Sequence, residues 1–150
     1  MKPHALFLLS IIILTACKDD IVPVDDNNDY RNEYLGTYTG LFSTTISYPY
    51  QIDSVTWGTY TGVAYDNATL ILSKGTCDSC IVFTVAPDTL AGQWSVECNI
   101  DTAGTFRGSF YEGTYYGEAF GTCEPGMVAI SRYVMCGRTC QTWSGMKGYR

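Results

Sequence analysis

Ile81-Val82-Phe83-Thr84-Val85, a break from Pro87 to Gly92, and then Trp94-Ser95-Val96-Glu97-Cys98-Asn99-Ile100 decide the fold of this chain. Ile81, Phe83 and Val85 alternate with other residues, as do Trp94, Val96, Cys98 and Ile100. In a strand, alternate side chains share one face, so both segments read as strands with one apolar face turned inward. A slip of one residue would invert a whole face. Matching faces therefore sets Phe83 against Val96 and Val85 against Trp94, an antiparallel hairpin through the Pro87–Gly92 turn.

Working outward in both directions extends the hairpin into a meander. A turn at Asp101–Ala103 sets Cys98 against Phe106 and Trp94 against Phe110. A tight turn at Glu112-Gly113 then sets Phe110 against Tyr115 and Gly108 against Gly117, with Arg107 opposite Glu118 on the outer face; such loops favour glycine at positive φ. Glu124-Pro125-Gly126 and Gly137-Arg138-Thr139 supply further turns, and Lys74–Ser79 supplies one before Cys80.

A pentapeptide recurs as Gly36-Thr37-Tyr38-Thr39-Gly40, Gly58-Thr59-Tyr60-Thr61-Gly62, Gly104-Thr105-Phe106-Arg107-Gly108 and Gly113-Thr114-Tyr115-Tyr116-Gly117, with a near copy at Gln141-Thr142-Trp143-Ser144-Gly145. Its uneven spacing excludes a solenoid. Within a strand, its two glycines and its aromatic ring lie on one face. The ring fills the interior, and the glycines let the sheet coil and leave room for large neighbours. No segment here has a 3.6-residue apolar period. The reading is an all-β domain, residues 34–150, with about eight antiparallel strands in meander order closing into a small barrel, a sandwich being the alternative.

The turns of a meander alternate between two ends. Cys77, Cys80, Cys98 and Cys123 gather at one end; Cys136 and Cys140 flank a turn at the other. A disulfide requires Cα atoms within about 7 Å, so Cys136 is expected to pair with Cys140. For the remaining four the expectation is Cys77–Cys80 with Cys98–Cys123, the alternative being Cys80–Cys98 with Cys77–Cys123.

At the N-terminus, Lys2 and His4 precede an apolar run from Ala5 to Leu14, and then comes Leu14-Thr15-Ala16-Cys17. The run is too short to cross a bilayer core of roughly 30 Å as a helix, and its flanks are those of a removable signal. Leu14-Thr15-Ala16-Cys17 resembles the lipobox of bacterial lipoproteins. That resemblance implies cleavage before Cys17 (residues 1–16 as signal peptide), a diacylglyceryl group on the Cys17 thiol, and an acyl chain such as palmitate on the new amine. Two or more chains give lasting membrane attachment. Lys18-Asp19-Asp20 resembles the Lys-acid-acid export tag of surface lipoproteins in one phylum of Gram-negative bacteria, which implies an outward-facing place at the outer membrane. Residues 17–33 are acidic and polar, with too little apolar surface to offset ordering entropy, and read as a flexible tether. Asp25-Asp26-Asn27-Asn28-Asp29 lacks the glycine and glutamate of an EF-hand loop, having Tyr30 and Gly36 at those places, and is rejected as a calcium site.

Composition narrows the chemistry. Removing residues 1–16 from the 150 leaves 134 residues, one domain's worth. The mature chain carries 8 basic and 15 acidic side chains, a formal charge of −7, and has no basic cluster for nucleic acid. The only histidine, His4, leaves with the signal, so triads, Cys-His dyads and His-ligated metals are excluded. Cys77-Asp78-Ser79-Cys80 precedes a strand, where a redox pair usually opens a helix, so a structural disulfide is expected. A four-cysteine zinc site would need its two pairs at one end. Glu97, Asp101, Asp53, Glu112 and Glu124 lie on the outer face or in turns, and none stands out as a buried general acid. No catalytic residue, metal or cofactor is assigned.

Tyrosine is the remaining signal. Tyr38, Tyr60 and Tyr115 point inward by pattern, and buried hydroxyls need partners, so these three are the candidate ligand-binding residues of a partly polar cavity. Gly36-Thr37-Tyr38 and Trp143-Ser144-Gly145-Met146-Lys147 resemble the first and last strands of small lipocalin-like or avidin-like barrels, with Tyr38 where lipocalins usually carry Trp. The functional expectation is a non-enzymatic binding or interaction protein: membrane-held by its lipid, with a small ligand, a glycan or a surface protein as partner. A structural coat component, or less readily a carboxylate hydrolase, is the alternative.

Overall fold

The computed structural model describes residues 29–89, 92–137 and 140–150. Residues 1–28, with Cys17, Lys18-Asp19-Asp20 and most of the tether, lie outside the described residues. The fold is all-β. Eight antiparallel strands in sequence order, β1 (Gly36–Gln51), β2 (Trp57–Lys74), β3 (Cys80–Pro87), β4 (Trp94–Ile100), β5 (Thr105–Glu112), β6 (Tyr115–Glu124), β7 (Met127–Met135) and β8 (Gln141–Tyr149), close into a barrel through β1 and β8. The deciding hairpin has the register its faces dictate, Phe83↔Val96 and Val85↔Trp94.

Two neighbouring registers differ from the expectation by two residues. Phe106 faces Ile100 rather than Cys98, and Phe110 faces Gly117 rather than Tyr115. A shift of two keeps every side chain on its face, so face matching alone cannot exclude it; turn length decides. Gly104 N–H bonds to Asp101 O, and Asp101 N–H to Thr105 O, so the first turn runs to Gly104. The second is Gly113-Thr114, with Gly113 at φ 63°. Arg107 therefore sits directly opposite Phe120, yet its guanidinium still reaches Glu118 diagonally at 2.6 Å.

Below the open end the barrel is filled. Tyr38, Leu70, Ile81, Phe83, Phe106 and Ile130 are fully buried, and the Phe83 and Phe106 rings stack at 4.1 Å. The repeated glycines make this possible. A Cβ on Gly117 would strike the Phe110 ring, one on Gly108 would meet Cys98 Sγ at 2.8 Å, and one on Gly121 would strike the Ala129 carbonyl. Rings and strand backbones occupy the space these residues leave.

One end is sealed. A 3-10 turn, Tyr30–Glu33, lies across it, so the flexible tether expected through Glu33 gives way to packed structure by Asp29. Tyr30 Oη donates to Ile100 O at 2.8 Å, and the buried Arg31 donates through Nη1 to the carbonyls of Cys77 (2.6 Å) and Cys80 (3.0 Å). Asp29 caps the turn, accepting from Arg31 N–H and from its guanidinium at 2.6 Å, with Lys74 Nζ at 3.2 Å. Tyr34 and Leu35 follow into β1.

The other end is open. β1 pairs with β8 only from Thr39 to Ser47, and β2 pairs with β3 only from Ala68 to Lys74. Beyond those points the first two strands pair with each other alone, from Tyr48↔Tyr60 to Gln51↔Trp57, and project past the rim as a two-stranded arm.

The disulfides follow the meander. Cys77–Cys80 and Cys136–Cys140 are bonded, each with Cα atoms 5.0 Å apart, at opposite ends of the barrel. The third expected pair, Cys98–Cys123, is not formed: both are free, buried thiols. They reside on β4 and β6, with β5 between them, so no hairpin brings their backbones together.

Candidate functional site

At the open end the filled core stops and a cup of about 410 Å³ begins. Phe42, Thr44 and Ile46 of β1, Ala64 of β2, Trp94 of β4, Arg132 of β7 and Ser144 of β8 line it, with Glu112 at the rim. This volume lies in the range of roughly 300–1,000 Å³ typical of small-molecule sites. The strands place these residues by alternation. Val128, Ile130, Arg132 and Val134 share the inward face of β7, and Arg132 falls where the apolar filling ends.

Arg132 is the centre of the cup. Its guanidinium carbon lies 4.9 Å from the centroid of the Trp94 ring and 4.9 Å from that of Phe110. Cation–π contact of this kind contributes about 0.5–2 kcal/mol depending on desolvation. Nη2 donates to Glu112, whose side chain is 59% exposed while that of Arg132 is 12% exposed. Arg132 Nε–H and Trp94 Nε1–H are buried and meet no acceptor among the described residues. A buried donor left unmatched costs about 1–3 kcal/mol, and here two of them belong to residues of β4 and β7 that touch through the barrel interior. Beside Arg132 in the sheet stands Ser144, its direct cross-strand partner, and beside that Thr44; Thr44 Oγ1 and the buried Ser144 Oγ share a hydrogen bond of 3.1 Å. The result is an apolar cup with one cation and convergent hydroxyls and N–H groups.

Of the tyrosines singled out by pattern, Tyr60 lines a hollow that adjoins the cup, and Tyr38 and Tyr115 are not among the residues lining either. Tyr38 is inward and 1% exposed, but it is a core wedge near the sealed end: its hydroxyl donates to Tyr34 O at 2.7 Å, and the Arg150 guanidinium lies 5.3 Å from its ring centroid. Tyr60 has inward parity and sits on the projecting arm, 49% exposed, beside Tyr48 with centroids 5.0 Å apart, and both rings line a hollow of about 250 Å³ that shares Thr44, Ile46 and Ala64 with the cup. Tyr115 follows the Gly113-Thr114 turn at the rim and is 45% exposed. Parity gives the face of a strand, not whether a barrel encloses it. Trp94 was expected inward, whereas Arg132 was not singled out; an arginine at an inward place between Ile130 and Val134 was the available signal.

The sealed end and outer wall hold charged groups in structural pairings. The Arg31 hydrogen bonds hold the Asp29 carboxyl well below the usual carboxylate range. Glu97 is lowered by hydrogen bonds from Thr76 N–H and Oγ–H, and Glu118 by those from Tyr116 and Arg107. Burial pushes the thiols of Cys98 and Cys123 up to about 12, so neither is a thiolate at neutral pH. No protein-family model matches the chain, and no curated protein matches it in sequence.

Proposed function

We propose that this chain is a lipid-anchored, non-enzymatic binding protein of the outer membrane that faces outward and holds a small ligand in the open end of its barrel. The observation that carries the ligand reading is the cup itself: lined by strands and by the loop before Trp94, largely apolar, and bordered by Trp94 and Arg132, each with a donor unmatched among the described residues. The lipobox-like Leu14-Thr15-Ala16-Cys17 and the Lys18-Asp19-Asp20 that follows support the address. The acidic residues after Cys17 would separate barrel from membrane.

The ligand reading is tested with a neutral fluorescent probe, N-phenyl-1-naphthylamine, on the mature chain (residues 17–150, with Cys17→Ser so that it carries no lipid). Wild type should enhance the probe's emission saturably, and Ser144→Phe, which fills the cup, should abolish the enhancement. Equal enhancement by both proteins would place the probe elsewhere and overturn the reading. The address is tested in cells. Cys17→Ala should lose lipid labelling and membrane attachment, and alanines at Lys18-Asp19-Asp20 should protect the domain from external protease. Lipid labelling of Cys17→Ala, or equal protease access in both forms, would contradict it.

A second reading has its own support: the arm exposes Tyr48, Tyr50, Trp57 and Tyr60. Exposed Tyr and Trp give rigid contact area, which suits a surface protein or glycan.

A further inference from the structure

The geometry of Arg132 points to the class of ligand, and we propose that the cup seats an apolar monocarboxylic acid, its carboxylate on Arg132 and its body against Trp94, Phe42 and Ile46. This inference rests on the cup being a ligand site.

The argument starts from the shape of a guanidinium. Its Nε–H and one Nη2–H point the same way along one edge, a fork that matches the two oxygens of a carboxylate. In this protein Glu112 makes a one-point contact with the guanidinium: a single oxygen, Oε2, accepts from Nη2, while Nε–H meets no acceptor among the described residues. Glu112 approaches from the rim, with its side chain largely in water, so it is a weak competitor: exposed ion pairs contribute little. A carboxylate entering the cup replaces this one-point contact with a two-point one and matches the Nε–H donor. Trp94 Nε1–H, on the ring that the same guanidinium covers from β7, is a further donor without an acceptor among the described residues.

The rest of the cup sets the remainder of the ligand. Phe42, Ile46, Ala64 and the Trp94 ring form apolar walls; the hydroxyls of Thr44, Thr142 and Ser144 lie on the strands next to Arg132, and Gln93 lines the cup beside Trp94. Arg132 and Glu112 are the charged side chains among the lining residues. A dianion or phosphate would leave a charge facing Glu112 or the apolar wall, whereas one carboxylate is neutralised by one arginine. An apolar body is then required to exploit the walls, at roughly 25 cal/mol per Å² of apolar surface removed from water.

The test is isothermal titration of the mature chain (residues 17–150, Cys17→Ser) with decanoate and, as the uncharged counterpart, decanol. Wild type should bind decanoate at least tenfold more tightly than decanol. Arg132→Met keeps the apolar stem and removes the fork; it should weaken decanoate at least tenfold and change decanol less than threefold. Arg132→Lys keeps the charge without the fork and should fall between. Glu112→Gln, at an exposed site that does not threaten folding, should tighten decanoate about threefold or more by removing the competitor. Decanoate binding that is unchanged in both Arg132 variants and in Glu112→Gln overturns the carboxylate seat. So does parity of decanoate and decanol in wild type. If decanol and N-phenyl-1-naphthylamine still bind in either case, the cup reading survives the loss of the acid; if nothing binds the folded protein, both fall.

Discussion

Asp29 shows at the scale of one residue how the sealed end is held and how it can be opened. Its carboxyl is stabilised as an anion chiefly by hydrogen bonds from Arg31, with Lys74 adding to them. A folded-state pKa below the unfolded value contributes stability that is fully present above the unfolded value, near 3.9, and is lost as pH falls through and below it. Asp29→Asn should therefore be less stable than wild type at pH 7 in urea unfolding, and the difference should shrink at pH 3. An equal difference at both pH values would show that the charge is not what matters. The glycines make a second residue-scale case. Gly121→Ala places a methyl against the Ala129 carbonyl, and overpacking of this kind costs about 1–3 kcal/mol, read as a lower urea midpoint at unchanged m. The cysteines make a third. Cys98 and Cys123 are buried thiols, so Ellman's reagent should find neither in the native mature chain carrying Cys17→Ser, and both after unfolding in guanidinium. Neither reacting after unfolding would mean that they are bonded to each other.

At the scale of elements, the alternation in 81–85 and 94–100 was sufficient for β3 and β4, including their register, because both inner faces and the short loop between them agree. The registers on either side of β5 were legible only to the nearest even number, since a two-residue shift costs face matching nothing and the turn geometry at Asp101–Gly104 and Gly113-Thr114 decides it. The arm was not legible at all. Gly58-Thr59-Tyr60-Thr61-Gly62 has the same pattern as copies inside the barrel, and nothing local says that β1 and β2 outrun their other neighbours. Because Tyr48–Tyr60 pair only within the arm, replacing residues 49–59 with a short Asn-Gly turn should leave the thermal midpoint within about 3 °C of wild type, a ΔΔG under roughly 1 kcal/mol. A larger fall would mean that the arm packs on the barrel.

For the whole molecule, the division into a sealed, filled end and an open, cupped end is what connects fold to function. Face alternation predicted the barrel and much of its filling: Tyr38, Phe83, Val96 and Phe106 are buried as their parity requires. It led to a partly polar cavity but not to its place or its lining, because where a barrel stops being filled depends on the lengths of all the strands together. Arg132 and Trp94 acquire their importance only from standing at that boundary. The central claim is that a ligand enters this cup and meets those two side chains, and the indole N–H resonances test it most directly. The protein has three tryptophans, of which Trp57 is 64% and Trp143 45% exposed, while Trp94 Nε1 is buried without an acceptor among the described residues. In ¹H–¹⁵N spectra of the mature chain titrated with decanoate, the Trp94 indole signal, assigned through Trp94→Phe, should move downfield and saturate, with the Trp57 and Trp143 signals unmoved. Saturable shifts confined to Trp57 or Trp143, or no shift of Trp94 at saturating acid, would contradict the account.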